Sequence, residues 1–115
     1  MSNALLPLLI SLIAGAHGIA DDYALCVAEA EAGPELRVDT VGDDGKALGL
    51  WQWHEPSIRQ VLDEMGVEWD WAQRGDPRLD PVVSTVAAMW AMSERGRRHW
   101  WRRADEMCRE WREGN

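Results

Sequence analysis

Apolar residues recur at helical spacing along most of this chain, in blocks that Gly, Pro and Asp separate. Asp21 or Asp22 supplies an N-cap, and the Ala-rich run from Tyr23 to Ala32 contains nothing to stop a helix before Gly33-Pro34. Leu25, Ala28 and Ala32 share one stripe of that helix, and Val27 and Glu31 share another. From Glu35 to Leu48 the pattern changes. Leu36, Val38 and Val41, with Gly42-Asp43-Asp44-Gly45 as a turn, predict a short β-hairpin or irregular lobe. Pro56 then opens a helix carrying Ile58, Val61, Leu62 and Met65 at i, i+3, i+4 and i+7, and Gly66 closes it. Residues 67–79 read as a connection. Asp80-Pro81 repeats the N-cap signature, and Val82, Val83, Val86, Met89, Trp90 and Ser93 trace a helical face as far as Gly96. A last helix is predicted over Arg98–Arg112, with Trp100, Ala104, Met107, Cys108 and Trp111 on one stripe and Arg on the other. The fold class is mainly α with a small β-hairpin lobe (α+β), and 115 residues make one domain.

The one long apolar run lies ahead of these elements, from Leu5 to Ala20. It is too short and too rich in Gly and Ala to be read as a transmembrane span. Residues 1–20 are an apolar leader with three readings: a secretory signal, an anchor that later leaves the membrane, or a first helix packed on the core. Small-residue sites such as Ala14-Gly15-Ala16 suit a signal, whereas the missing basic n-region does not. Residues 21–115 form the domain proper. The first two readings place the protein outside the cytoplasm, periplasmic, extracellular or virion-associated, with transient membrane contact through residues 5–20. Cys26 and Cys108 lie in the first and last helices of the domain, either bonded in an oxidising compartment or buried as two free thiols.

Composition narrows the chemistry. The net charge of −8 excludes a nucleic-acid binder as a whole. Seven of the twelve basic residues, all Arg, follow Glu94, so the C-terminal segment is locally basic. Eight Trp with no Phe exceed what so small a core needs, and indole faces also stack on sugars. Cys and His occur at no metal-ligand spacing, so neither metal nor cofactor is expected. No nucleophile elbow, P-loop or dinucleotide fingerprint occurs. What remains is a cluster of carboxylates, Glu29, Glu31, Glu35, Asp39, Asp43 and Asp44, before a turn that ends at Gln52. Carboxylates beside aromatic platforms are the equipment of glycoside cleavage. Glu31 stands in the last turn of its helix, where the negative end of the macrodipole favours the neutral carboxyl a general acid needs.

Glu31-Ala-Gly, then Val41-Gly-Asp-Asp-Gly-Lys-Ala-Leu-Gly-Leu-Trp-Gln, then Asp80-Pro81 opening a helix, resembles the lysozyme-like fold of soluble lytic transglycosylases and phage muramidases. The resemblance covers Leu25 to about Met92. It implies a lysozyme-like helical domain, short for the family and so with fewer sugar subsites, that cleaves the β-1,4 bond between N-acetylmuramic acid and N-acetylglucosamine as a monomer acting on peptidoglycan glycan strands. Glu31 matches the catalytic acid/base, with Glu29 as its alternative. Gln52 matches the groove-lining Gln of the turn, and Gly49 is mainly structural. Trp51 and Trp53 are then expected at the substrate and as apolar shelter for Glu31, and Asp44 as a group that positions water. His54, beside the turn, is expected to cap the following helix. The family's Ser after the acid is Ala32 here, and its downstream Asn and Tyr block is unmatched, with Ser84 and Trp90 in that neighbourhood. These departures keep a second class open: a module of this fold that binds peptidoglycan or builds a virion without cleaving anything.

Overall fold

The computed structural model describes residues 5–112, and local chemistry accounts for most of its helix boundaries. Helix α1 runs Leu6–Ala16 and α2 runs Asp21–Ala32. Asp21 and Asp22 sit inside the first turn of α2, after the cap residue Ala20, so the helix starts one or two residues earlier than the sequence implied. Gly33 ends α2 at φ +91°, a backbone conformation that costs a side-chain-bearing residue dearly. A small antiparallel sheet follows in the order β1 (Val41–Gly42), β2 (Ala47–Leu48), β3 (Trp53–His54). Its register pairs Val41 with Leu48, Gly42 with Ala47, and Ala47 with His54. Helix α3 (Glu55–Glu64) leaves the sheet directly, α4 (Trp71–Arg74) and a 3-10 turn at Pro77–Leu79 fill the expected connection, and α5 spans Pro81–Glu94. The Asp80 carboxylate caps α5 by accepting from the N–H groups of Val82 and Val83. Among the described residues the chain is mostly helical with one small three-stranded sheet.

Two expectations about buried faces are corrected. In α5 the core face is Ser84, Thr85, Ala87, Ala88, Met89, Ala91 and Met92, while Val82 is exposed. Small residues win because α5 is packed by α1 on one side and α3 on another, so its neighbours must approach closely. The valines instead border an apolar hollow with Leu62, Met65 and Trp69. The predicted last helix is also broken, into a 3-10 turn at Arg98–Trp101, α6 (Arg102–Met107) and α7 (Arg109–Arg112). Ala104 and Cys108 are buried, but Met107 and Trp111 are exposed, so the proposed stripe is not one face. Side-chain anchors bend the segment: the Trp101 indole donates to the carbonyl of Trp51 at 2.9 Å, and Cys108 is bonded to Cys26.

That disulfide closes a loop of 82 residues and is worth roughly 4 kcal/mol by chain entropy. It fixes the C-terminal segment against α2, where the Tyr23 hydroxyl also donates to Asp105. Burial and that carboxylate together push the Tyr23 phenol up to about 12. In α1, Leu6, Ile10 and Ala14 enter the same core, while Leu5, Leu8 and Leu12 form an outward stripe. No helix among the described residues is long and apolar enough to cross a membrane.

Arg97, just ahead of the 3-10 turn, holds both carboxylate oxygens of Glu64 at 2.6 and 2.8 Å and covers the Trp100 ring at 4.6 Å. The guanidinium lowers the Glu64 carboxyl from 4.5 to about 2. A depressed carboxyl stabilises the fold above its unfolded value and stops doing so as pH falls through its folded one. Urea midpoints measured from pH 5 to pH 2 are therefore expected to fall less steeply in Arg97→Met than in the parent chain. Identical slopes would mean that the pair contributes nothing.

Candidate functional site

The lobe is organised by its tight backbone positions. Gly49 has φ +88°, and a Cβ there would lie 2.1 Å from the carbonyl oxygen of Arg78. Arg78 answers by clamping the lobe: its Nη1 donates to the carbonyls of Lys46 and Trp53, and its Nη2 to Asp76. Gln52 holds a left-handed φ of +48°, unusual for a residue with a side chain. Its amide compensates, with Nε2 donating to the carbonyls of Thr40 and Gly49, each at 3.0 Å. The Oε1 end packs on Gly42, where a Cβ would come within 2.2 Å of it. The Thr40 hydroxyl in turn donates to Ala32, so Gln52 secures the lobe to the end of the helix that carries Glu31.

Glu31 is half-buried on α2, in a cavity of about 320 Å³ shared with Ala30, Arg103, Ala104 and Met107. Burial raises its carboxyl above the usual 4.5, against the opposing pull of the Arg103 guanidinium. Glu29, two residues earlier, is exposed. A second cavity of about 260 Å³ is lined by Gln52, His54, Ser57 and Trp100, with Trp51, Trp53 and Trp101 behind them. One stretch of chain, residues 100–107, therefore contributes to the walls of both cavities.

Several expectations are revised by this geometry. Trp51 is 0% exposed and Trp53 2%, so neither ring offers a face to a ligand or covers Glu31. Both indoles are hydrogen-bonded inside the core, Trp51 to the Thr85 hydroxyl and Trp53 to the Ser84 carbonyl. Gln52 does line a cavity, but not the one that holds Glu31, and both its N–H bonds are spent on the lobe backbone. Asp44 is exposed at φ +55° on the tip of the lobe and borders neither cavity. Gly49 is a tight backbone position against Arg78 and borders neither cavity. His54 occupies the N-cap position of α3 without capping it, and its Nε2 lies 3.0 Å from Asp43 instead. Arg103, Ser57 and Trp100 were not singled out as site residues. The signal for Arg103 is the Cys26–Cys108 bond, which brings the residues before Cys108 across α2.

No group of His, Cys, Asp and Glu among the described residues could hold a metal ion. Compared with known proteins, the chain matches no family, no curated protein and no solved structure.

Gly45 and Gly49 share φ +88°, but a Cβ on Gly45 would meet nothing within 4 Å. Gly45→Ala is expected to cost only the left-handed backbone, about 1–2 kcal/mol. Gly49→Ala should cost at least about 3 kcal/mol, because its methyl also collides with a carbonyl that cannot swing aside. Denaturant unfolding of the two variants side by side checks this, and equal losses would contradict the clamp.

Proposed function

We propose that this protein is a peptidoglycan-cleaving glycosidase of the lysozyme-like kind, a lytic transglycosylase or muramidase, with Glu31 as its general acid and base. The observation that carries the reading is the Glu31 carboxyl, half-buried in a cavity and raised above the ordinary carboxyl value. Its place at the end of a helix that runs into a small β-lobe agrees with the resemblance in the sequence. The neighbouring cavity, with Trp100, His54 and Ser57, has the mixed aromatic and polar lining that suits a sugar ring.

In this mechanism the protonated Glu31 donates to the glycosidic oxygen as the bond to the anomeric carbon breaks. The substrate's own 2-acetamido oxygen closes on that carbon, so no second protein carboxylate is required. Glu31, now ionised, takes a proton either from the sugar's 6-hydroxyl, giving an anhydro ring, or from water, giving hydrolysis. The disulfide suits an oxidising compartment and so an exported or virion-associated protein. The outward Leu5, Leu8 and Leu12 stripe supports transient contact with a membrane surface.

One observation favours a second reading. Both N–H bonds of the Gln52 amide go to the lobe, and among the described residues no second carboxylate lines the Glu31 cavity. A module that binds glycan strands without cutting them would need neither. Retention on purified sacculi with no fall in turbidity would select it.

Glu31→Gln is expected to slow the lysis of sacculi by at least about 10²-fold, the usual contribution of a general acid. Stability should move the other way. A raised carboxyl favours folding in its neutral form, so the parent chain loses stability as pH climbs from 4.5 through the raised value. The glutamine variant lacks that loss and should melt higher than the parent at pH 7. Wild-type lysis rates in Glu31→Gln, with the loss found in Glu29→Gln, would transfer the acid's role to Glu29.

A further inference from the structure

An apolar hollow of about 140 Å³ lies between α3 and α5, and it shares no lining residue with either cavity described above. Leu62 and Met65 wall it on one side, Val82 and Val86 on the other, and Val67 and Trp69 belong to the connection between them. Every residue that lines it is apolar. Val67 and Val82 are exposed, so the hollow opens to solvent. An apolar space of this size holds a single benzene-sized group. Its walls are held in place. The Trp69 indole donates to the Gly75 carbonyl at 2.8 Å, the Arg74 guanidinium covers the same ring at 4.4 Å, and the Asp80 cap fixes the turn of α5 that carries the valines.

The surroundings of the hollow are acidic. Asp63 follows Leu62, Glu68 separates Val67 from Trp69, and Asp70 follows Trp69; all three are exposed. The Asp63 and Glu68 carboxylates have no hydrogen bond or ion pair among the described residues. Asp70 and Asp80 cap α4 and α5 without meeting a cation. The arginines of this region are engaged elsewhere: Arg59 with Glu55 and the Trp71 ring, Arg74 with the Trp69 ring, Arg95 and Arg97 with Glu64. A second copy of the chain, at a net charge of −8, meets repulsion at such a surface, and so does an anionic lipid.

We propose that this hollow docks a cationic polypeptide segment, which inserts one bulky apolar side chain between α3 and α5 and sets Lys or Arg against Asp63, Glu68 and Asp70. The buried anchor supplies the affinity, and the acids steer the partner and select among partners. Because the walls are already fixed, little ordering is needed on this side of the contact. The surface is separate from the Glu31 cavity, so it stands whether or not the chain cleaves glycans.

The test uses the full chain, isotope-labelled for NMR, and synthetic peptides of equal length with Leu between lysines, Leu between glutamates, or Ser between lysines. The Leu peptide with lysines is expected to shift the signals of Val67, Trp69, Val82 and Val86, and to bind at least about tenfold tighter than either of the others. Its advantage over the glutamate peptide should shrink as salt is raised. Val82 and Glu68 are both exposed, so substitutions there leave the core intact, which thermal unfolding checks. Val82→Ser should weaken the Leu peptide with lysines, and Glu68→Lys should weaken it while strengthening the glutamate peptide. Glu31→Gln should leave all three affinities unchanged. Shifts that map elsewhere, or equal affinity for the lysine and glutamate peptides, overturn the proposal. Self-association of the peptide-free chain in sedimentation, abolished by Val82→Ser, would also overturn it by assigning the hollow to a second copy.

Discussion

Everything on the functional side of this molecule hangs on how Trp51 is held. Its ring is wholly buried and its indole N–H is bonded to Thr85 of α5, while its carbonyl receives the indole N–H of Trp101. One residue thus binds the lobe to the helical core through its side chain and to the C-terminal segment through its backbone. The next residue, Gln52, fixes the lobe to the end of α2 by way of Thr40. Buried hydrogen bonds such as the two at Trp51 favour a single arrangement, because breaking one strands its partner in a low dielectric. The two cavities are the spaces left around that arrangement.

Within this frame the Glu31 carboxyl has a balance rather than a fixed state. Burial pushes it toward neutrality, and Arg103 pulls it back. The opposing charge comes from α6, a short helix that the Tyr23–Asp105 bond and the disulfide just beyond it fix in place. Function and stability are in opposition here. The half-buried acid would be a better citizen of the fold as an amide, and it remains a plain cost unless a ligand uses it.

Much of the helical plan was legible because it is written in local chemistry. Asp80-Pro81 caps α5, Gly33 ends α2, and the Ile58, Val61, Leu62 spacing marks the buried face of α3, all without reference to distant parts of the chain. The turn Gly42–Gly45 and the hairpin it joins were visible for the same reason, whereas the third strand, Trp53–His54, was not. What was not legible depends on partners remote in sequence. Whether an indole faces a sugar or a threonine is decided for Trp51 by a residue on α5. The outward turn of Val82 reflects packing from two sides, and the break in the last helix reflects anchors at Trp51 and Cys26. Arg103 could not be matched with Glu31 until the two cysteines were known to be joined.

The order of synthesis gives the Cys26–Cys108 bond a further meaning. Glu31 leaves the ribosome early, whereas the residues that shelter it and oppose its charge emerge near the other cysteine, much later. The cavity around Glu31 is therefore completed only by residues made last. The bond between Cys26 and Cys108 then holds that late segment on α2 by a covalent link, which an environment that keeps thiols reduced would withhold.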